Sequence, residues 1–222
     1  MDGFKAWLAQ LNYAWLLDTG VALLASLLCI MVHEVCHGLA AWALGDPTAK
    51  IRGRLSFNPL HHIDLFGLLM MALFGFGWAK AVPVDPRRFK NPKWGMALTA
   101  LAGPVSNFLL AALALLLYWV LVFFAPFTWA MYGSMFLLRV AVMSLGLGLF
   151  NLFPIPPLDG SKVLFAILPD RLYGKLLQYE RYGMFLLMAL LFSGVLDGPL
   201  NAMVEWCLTL LYTVTGLPFF LF

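Results

Sequence analysis

Residues 95–124 read GMALTALAGPVSNFLLAALALLLYWVLVFF, with no charged side chain anywhere in the run. A helix of about 20 apolar residues crosses the roughly 30 Å hydrocarbon core of a bilayer, where every backbone N–H and C=O must find its partner within the protein. Such a run can only be a membrane helix. Apolar segments also cover 15–44, 65–78, 134–153, 182–196 and 200–216. Hydrophobic residues make up 63% of the chain and charged ones 11%, against about 45–50% and about 25% in soluble domains. The chain therefore reads as an all-α polytopic membrane protein in a lipid bilayer. Its 222 residues accommodate one membrane domain over 1–222, with a core over about 15–168 and C-terminal helices over about 180–216, and no sizeable soluble domain. The start, MDGFKAWLAQLNYAWLL, lacks the basic region, continuous apolar core and small-residue cleavage site of a signal peptide, so it is expected to be retained and interfacial.

The segment 65–78, LFGLLMMALFGFGW, is short for a span and carries three glycines, so a re-entrant element competes with a crossing. The basic residues choose between them. Twelve of the fourteen lie in three connections: Lys50, Arg52 and Arg54; Lys80, Arg87, Arg88, Lys90 and Lys93; Lys162, Arg171, Lys175 and Arg181. If 65–78 dips in and returns, all three connections face the cytoplasm, as the positive-inside rule requires. The expectation is about five transmembrane helices plus one short re-entrant element, with the N-terminus outside. TAKIRGRLSF, 48–57, alternates polar and apolar residues around Gly53 and predicts a small cytoplasmic strand or hairpin. The basic surplus is explained by topology, and nothing points to nucleic acid.

One stretch does not belong in lipid. MVHEVCHG, 31–38, continues the first apolar run without a break. Ionisable residues at membrane depth cost about 2.5–3.5 kcal/mol each even on insertion scales, so three within five residues imply a function. On a helix, residues four apart project from one face one turn apart. His33 and His37 can therefore share a metal, and His-Glu-x-x-His is a zinc signature in which Glu34 acts as general base on the bound water. A catalytic zinc ordinarily takes three protein ligands. NLFPIPPLDG, 151–160, ends a span with three prolines and presents Asp159 at the same membrane face as the histidines. Asp159 is the best candidate for the third ligand, although a carboxylate there also suits the N-cap of the helix that follows.

These residues resemble the site-2 protease family of intramembrane zinc metalloproteases, in its small bacterial form without PDZ or other appended domains. The resemblance rests on His33-Glu34-x-x-His37, GDPTA at 45–49, GRLSFNPLHHID at 53–64, VPVDPRRF at 82–89, ALAGPVSN at 100–107 and NLFPIPPLDG at 151–160. It implies that His33, His37 and Asp159 bind one catalytic Zn²⁺ and that Glu34 is the base. It further implies that Asn107 and Asn151 engage the substrate, and that the site is reached by water from the cytoplasmic side of a bacterial inner membrane. Its partners would be transmembrane protein or peptide substrates. A strand over 50–57 would hold an unwound substrate extended.

Two other readings use the same residues: a membrane transporter of divalent metal, and a scaffold that binds membrane helices without cutting them. A transporter needs access from both faces, whereas the ligands here group toward one, and the intact Glu34 argues against the scaffold. His61, His62 and Asp64 read as hydrogen-bonding residues of a surface loop rather than a second metal site. Gly146 and Gly148 read as close-packing positions, and Arg139 as a side chain that snorkels. Cys29, Cys36 and Cys207 read as small buried hydrophobes.

Overall fold

The computed structural model describes residues 13–74 and 79–215, and within these the chain is helical with no strand. The N-terminal segment expected at the interface, the end of the short apolar segment at 75–78 and the last residue of 200–216 lie outside the described residues. Helix α1 is Tyr13–Ala43, α2 Thr48–Ile51, α3 Leu65–Phe74, α4 Pro92–Phe124, α5 Phe127–Asn151, α6 Asp159–Ile167, α7 Asp170–Ser193 and α8 Asp197–Thr215.

The centre is a three-helix packing of α1, α4 and α5. Its buried cluster joins Ala25 and Cys29 of α1, Ala111, Ala114 and Leu115 of α4, and Val140, Ala141 and Leu145 of α5. Lipid tails provide no hydrophobic drive between helices, so association depends on close contact, and small residues at the seam permit it. Helix α4 begins cleanly: Pro92 occupies its first turn and the Asn91 side chain accepts from Trp94 N at 3.3 Å. Only Ala125 and Pro126 separate it from α5, which makes the two an antiparallel hairpin. The C-terminal ends of α1 and α5, the N-terminal end of α4 and the start of α6 consequently meet at one end of the bundle.

Three helices among the described residues are long and apolar enough to cross a membrane: Leu17–Ala43, Pro92–Phe124 and Ala130–Asn151. A fourth follows if Tyr182–Ser193 and Asp197–Leu211, bent by 82°, form one broken span. The described helices thus account for three or four of the five spans expected. The break falls at Gly194, whose φ of 69° is the left-handed conformation that terminates helices. Helix α3 has 10 residues, about 15 Å of rise, half of what a crossing needs.

The strand or hairpin expected over 50–57 is absent. Thr48–Ile51 is helical, and the N–H groups of Ile51, Arg52 and Arg54 donate to the carbonyls of Pro47, Thr48 and Ala49. Donors satisfied within one turn leave no ladder to extend, and the alternation of TAKIRGRLSF reflects a turn at Gly53 rather than a pleat. The loop expectation holds for His62 and Asp64. His62 Nε2 lies 2.8 Å from the carbonyl of Ser56, and Asp64 accepts from Gly67 N at 2.9 Å at the start of α3. Arg139 does more than snorkel: it meets Asp18 of α1 at 2.7 Å and also donates to the Asp18 carbonyl. Of the cysteines, Cys29 is buried and the other two half-buried, all with free thiols.

Candidate metal centre

His33 and His37 leave α1 on one face, with their rings edge to face and 4.5 Å apart between centroids. Their Nε2 atoms are 2.9 Å apart. Asp159 Oδ2 stands 3.1 Å from His33 Nε2 and 3.0 Å from His37 Nε2. Three atoms able to donate a lone pair thus converge from α1 and α6, on side chains that are nearly closed to solvent. Among the described residues this is the one group of three or more His, Cys, Asp or Glu side chains gathered closely enough to hold a metal.

The opposite edges of the two rings bear on which nitrogens face the cluster. His37 Nδ1 lies 2.7 Å from the Thr99 carbonyl, an acceptor only, so Nδ1 carries the proton and Nε2 presents its lone pair. His33 Nδ1 faces the Asn107 amide at 3.1 Å. With the amide nitrogen toward the ring, His33 would be protonated on Nε2, and the buried Asn107 Oδ1 would have no partner. With the amide oxygen there, Nδ1–H donates to it and the amide nitrogen takes the partnerless position, so the orientation is set by whether His33 Nε2 must be bare to bind an ion. In that tautomer both imidazoles aim bare nitrogens at the Asp159 carboxylate, an arrangement that could hold a cation between them. Two imidazole nitrogens and a carboxylate oxygen are the donor set of a catalytic zinc. Ligand atoms of a tetrahedral zinc stand about 3.3 Å apart on bonds of about 2.0–2.1 Å, a few tenths of an ångström wider than here, so the donors fit.

Asp159 opens α6, and the cap before it, Leu158, makes no side-chain capping bond. The carboxylate points to the histidines and does not cap its helix. Its position follows from Gly160, where a β-carbon would overlap the Leu152 carbonyl and come within 2.7 Å of the Phe153 carbonyl. That contact seats the start of α6 directly on the end of α5. Lys162, one turn later, reaches the other carboxylate oxygen, Oδ1, at 3.3 Å.

Glu34 is half-buried beside the histidines, and its Oε2 accepts from Val82 N at 2.8 Å. It lines a cavity of about 310 Å³ together with His33, His37, Asp159, Asn151, Lys162 and Thr99. The opposing wall comes from the 79–85 segment through Ala81, Val82 and Val84. Asn151 lines this cavity and also donates to the Leu147 carbonyl at 2.9 Å. Asn107 does not line it: its side chain is fully buried behind His33, and Ser144 donates to its carbonyl at 2.8 Å.

Three features here escape sequence reasoning. Gly103 lets α4 press against both imidazoles, Val82 engages Glu34, and Asp46 anchors the segment that carries Val82. The Asp46 side chain is wholly buried after α1. It accepts from Asp85 N at 2.7 Å, from Thr48 N at 3.0 Å and from the Thr48 hydroxyl, with Arg88 3.7 Å away. Burial pushes its carboxyl up, but the bonds from Thr48 and Asp85 and the Arg88 charge together hold it below the usual carboxylate range. The signal for these features lay in GDPTA, VPVDPRRF and ALAGPVSN, which show turns and a kink but not what they touch.

Comparison with known proteins agrees with this chemistry. A family model described as Peptidase family M50 matches residues 128–194. The chain is similar to "Putative zinc metalloprotease YwhC" of Bacillus subtilis, 36% identical over 186 residues that cover 79% of each chain. It is similar to "Putative zinc metalloprotease Rip2" of Mycobacterium tuberculosis, 31% identical over 217 residues, 93% of this chain and 81% of the relative. The Rip2 of Mycolicibacterium smegmatis is 29% identical over 215 residues, covering 92% and 80%. No solved structure gives a significant match.

Proposed function

The chain belongs to peptidase family M50, the site-2 protease family, and from that membership we propose that it hydrolyses peptide bonds in or beside the transmembrane segments of membrane-protein substrates, with Glu34 as general base. It is a zinc metalloendopeptidase of the membrane. The observation that carries the finer reading is the opening of the His33, His37 and Asp159 cluster onto the same cavity as Glu34.

We assign His33, His37 and Asp159 as the residues that hold the ion. When bound, zinc supplies Lewis acidity, bringing the pKa of a bound water toward ~7 and polarising the scissile carbonyl. Thr99 and Asn107 fix the two imidazoles through their Nδ1–H groups, so neither ring turns as charge develops. Glu34 takes the proton of the attacking water and returns it to the leaving amine. Its Oε2 is tied to Val82 N–H, which leaves Oε1 for the proton. Asn151, on the cavity wall, holds the substrate backbone, and Asn107 serves the reaction through His33.

One catalytic domain over 1–222 fits this reading, with the core at 15–168. Lys50, Arg54, Lys80, Arg88 and Lys93 surround the end of the bundle that carries the cluster, and by the positive-inside rule that end faces the cytoplasm of a bacterial inner membrane.

The test is Glu34→Gln with a reporter carrying a transmembrane segment. Cleavage falls by about 10²–10⁴-fold while one zinc per chain is retained. Cleavage at the unaltered rate removes Glu34 from the mechanism.

A further inference from the structure

The Asp159 carboxylate has two oxygens, and the structure gives them different partners. Oδ2 meets both histidines, at 3.1 and 3.0 Å, while Oδ1 meets Lys162 Nζ at 3.3 Å. Lys162 follows Asp159 by three residues on α6, so the two side chains lie on one helical face. Among the described residues it is the one Lys or Arg on the cavity wall, with its side chain 31% exposed against 9% for Asp159. The backbone under Asp159 is seated against Leu152 and Phe153 at Gly160, so the carboxylate's approach to the histidines is set by the main chain. Rotation about the last side-chain bond remains, and Lys162 is placed to stop it.

That division matters for an open metal site. A carboxylate binds through one oxygen or two, and a catalytic zinc works with three protein donors and one position left for water or substrate. If both Asp159 oxygens turned toward the ion, the second would take that position. We infer that Lys162 is a positioning residue, which holds Oδ1 away from the metal and so keeps Asp159 a one-oxygen ligand. The inference rests on the metal centre proposed above and deepens it.

The protein is purified in detergent and loaded with Co²⁺ in place of zinc, because the visible absorption of Co²⁺ distinguishes four-coordinate from more highly coordinated sites. Lys162→Met, which keeps the length of the side chain without a donor, loses intensity as the second oxygen enters. Lys162→Arg, which keeps a donor, retains the four-coordinate spectrum. Lys162→Leu, also without a donor, replaces the Met variant if the latter fails to fold. Zinc affinity also changes, within the roughly 10–100-fold range of residues that orient ligands. An unaltered Co²⁺ spectrum in the variant without a charged donor overturns the inference, whatever happens to affinity. Asp159→Ala is the separate control: if it binds metal as tightly as the unaltered chain, the metal centre itself is wrong rather than the part given to Lys162.

Discussion

Gly103 of α4 lies against His37 of α1 so closely that a β-carbon there would stand 2.5 Å from His37 Nε2, and it would come within 2.6 Å of His33 Cε1 as well. The obstructing atoms are the outer ends of two side chains, so the rings would move before the helices part. Gly103→Ala is therefore expected to fold and to keep its helical content, while losing zinc affinity by about 10-fold or more. Metal titration beside circular dichroism checks this. Zinc bound as tightly as in the unaltered chain means the rings have room that the packing denies them.

Asn107 separates a positioning role from a substrate contact. Asn107→Ala removes the partner of His33 Nδ1, and zinc affinity should drop by about 10–100-fold. Asn107→Asp should keep most of it, because a carboxylate oxygen accepts the same Nδ1–H. If Asp is as harmful as Ala, the ring needs a donor at that position, and His33 has the opposite tautomer.

The convergence of the candidate ligands was legible in the chain because their geometry is local. His33 and His37 share a face wherever 31–38 is helical, and the prolines before Asp159 end α5 in whichever bundle they occur. What could not be read depends on the backbone opposite. Gly103 looks like a membrane-helix irregularity until His37 is found over it, and Asn107 looks like a substrate contact until His33 is found in front of it. TAKIRGRLSF has the right period for a strand, but Asp46 binds Thr48 and starts a helical turn, and among the described residues no second strand is present to compete. Apolar length does not reveal the 82° bend between Tyr182–Ser193 and Asp197–Leu211.

Asp46 links stability to pH with a definite sign. Its folded carboxyl lies below the ordinary range, so its contribution is complete above the unfolded value of about 3.9 and is lost as the pH falls through the folded one. Asp46→Ala leaves the donors of Thr48 and Asp85 without their buried acceptor, at a cost of about 1–3 kcal/mol for an unsatisfied group. Thermal unfolding in detergent should show a lower Tm for the variant at pH 7, with the gap to the unaltered chain narrowing below pH 4. A gap that is constant across that range would mean that the charge of Asp46 contributes nothing to the clamp.

Metal removal tests the connection between α1 and α6. These helices are far apart in sequence, and at the site they meet through His33, His37 and Asp159, whose bare donor atoms lie within 3.1 Å of one another. A cation among them relieves that crowding and ties the helices together, so binding stabilises the folded state by about 2.7 kcal/mol when zinc is held at 100 times its Kd. An excess of chelator should therefore lower the Tm of the unaltered protein. It should lower that of Asp159→Ala far less, because little metal is bound there to remove. A shift of the same size in both proteins would place the stabilising ion at a different site, and the join between α1 and α6 would then owe nothing to metal.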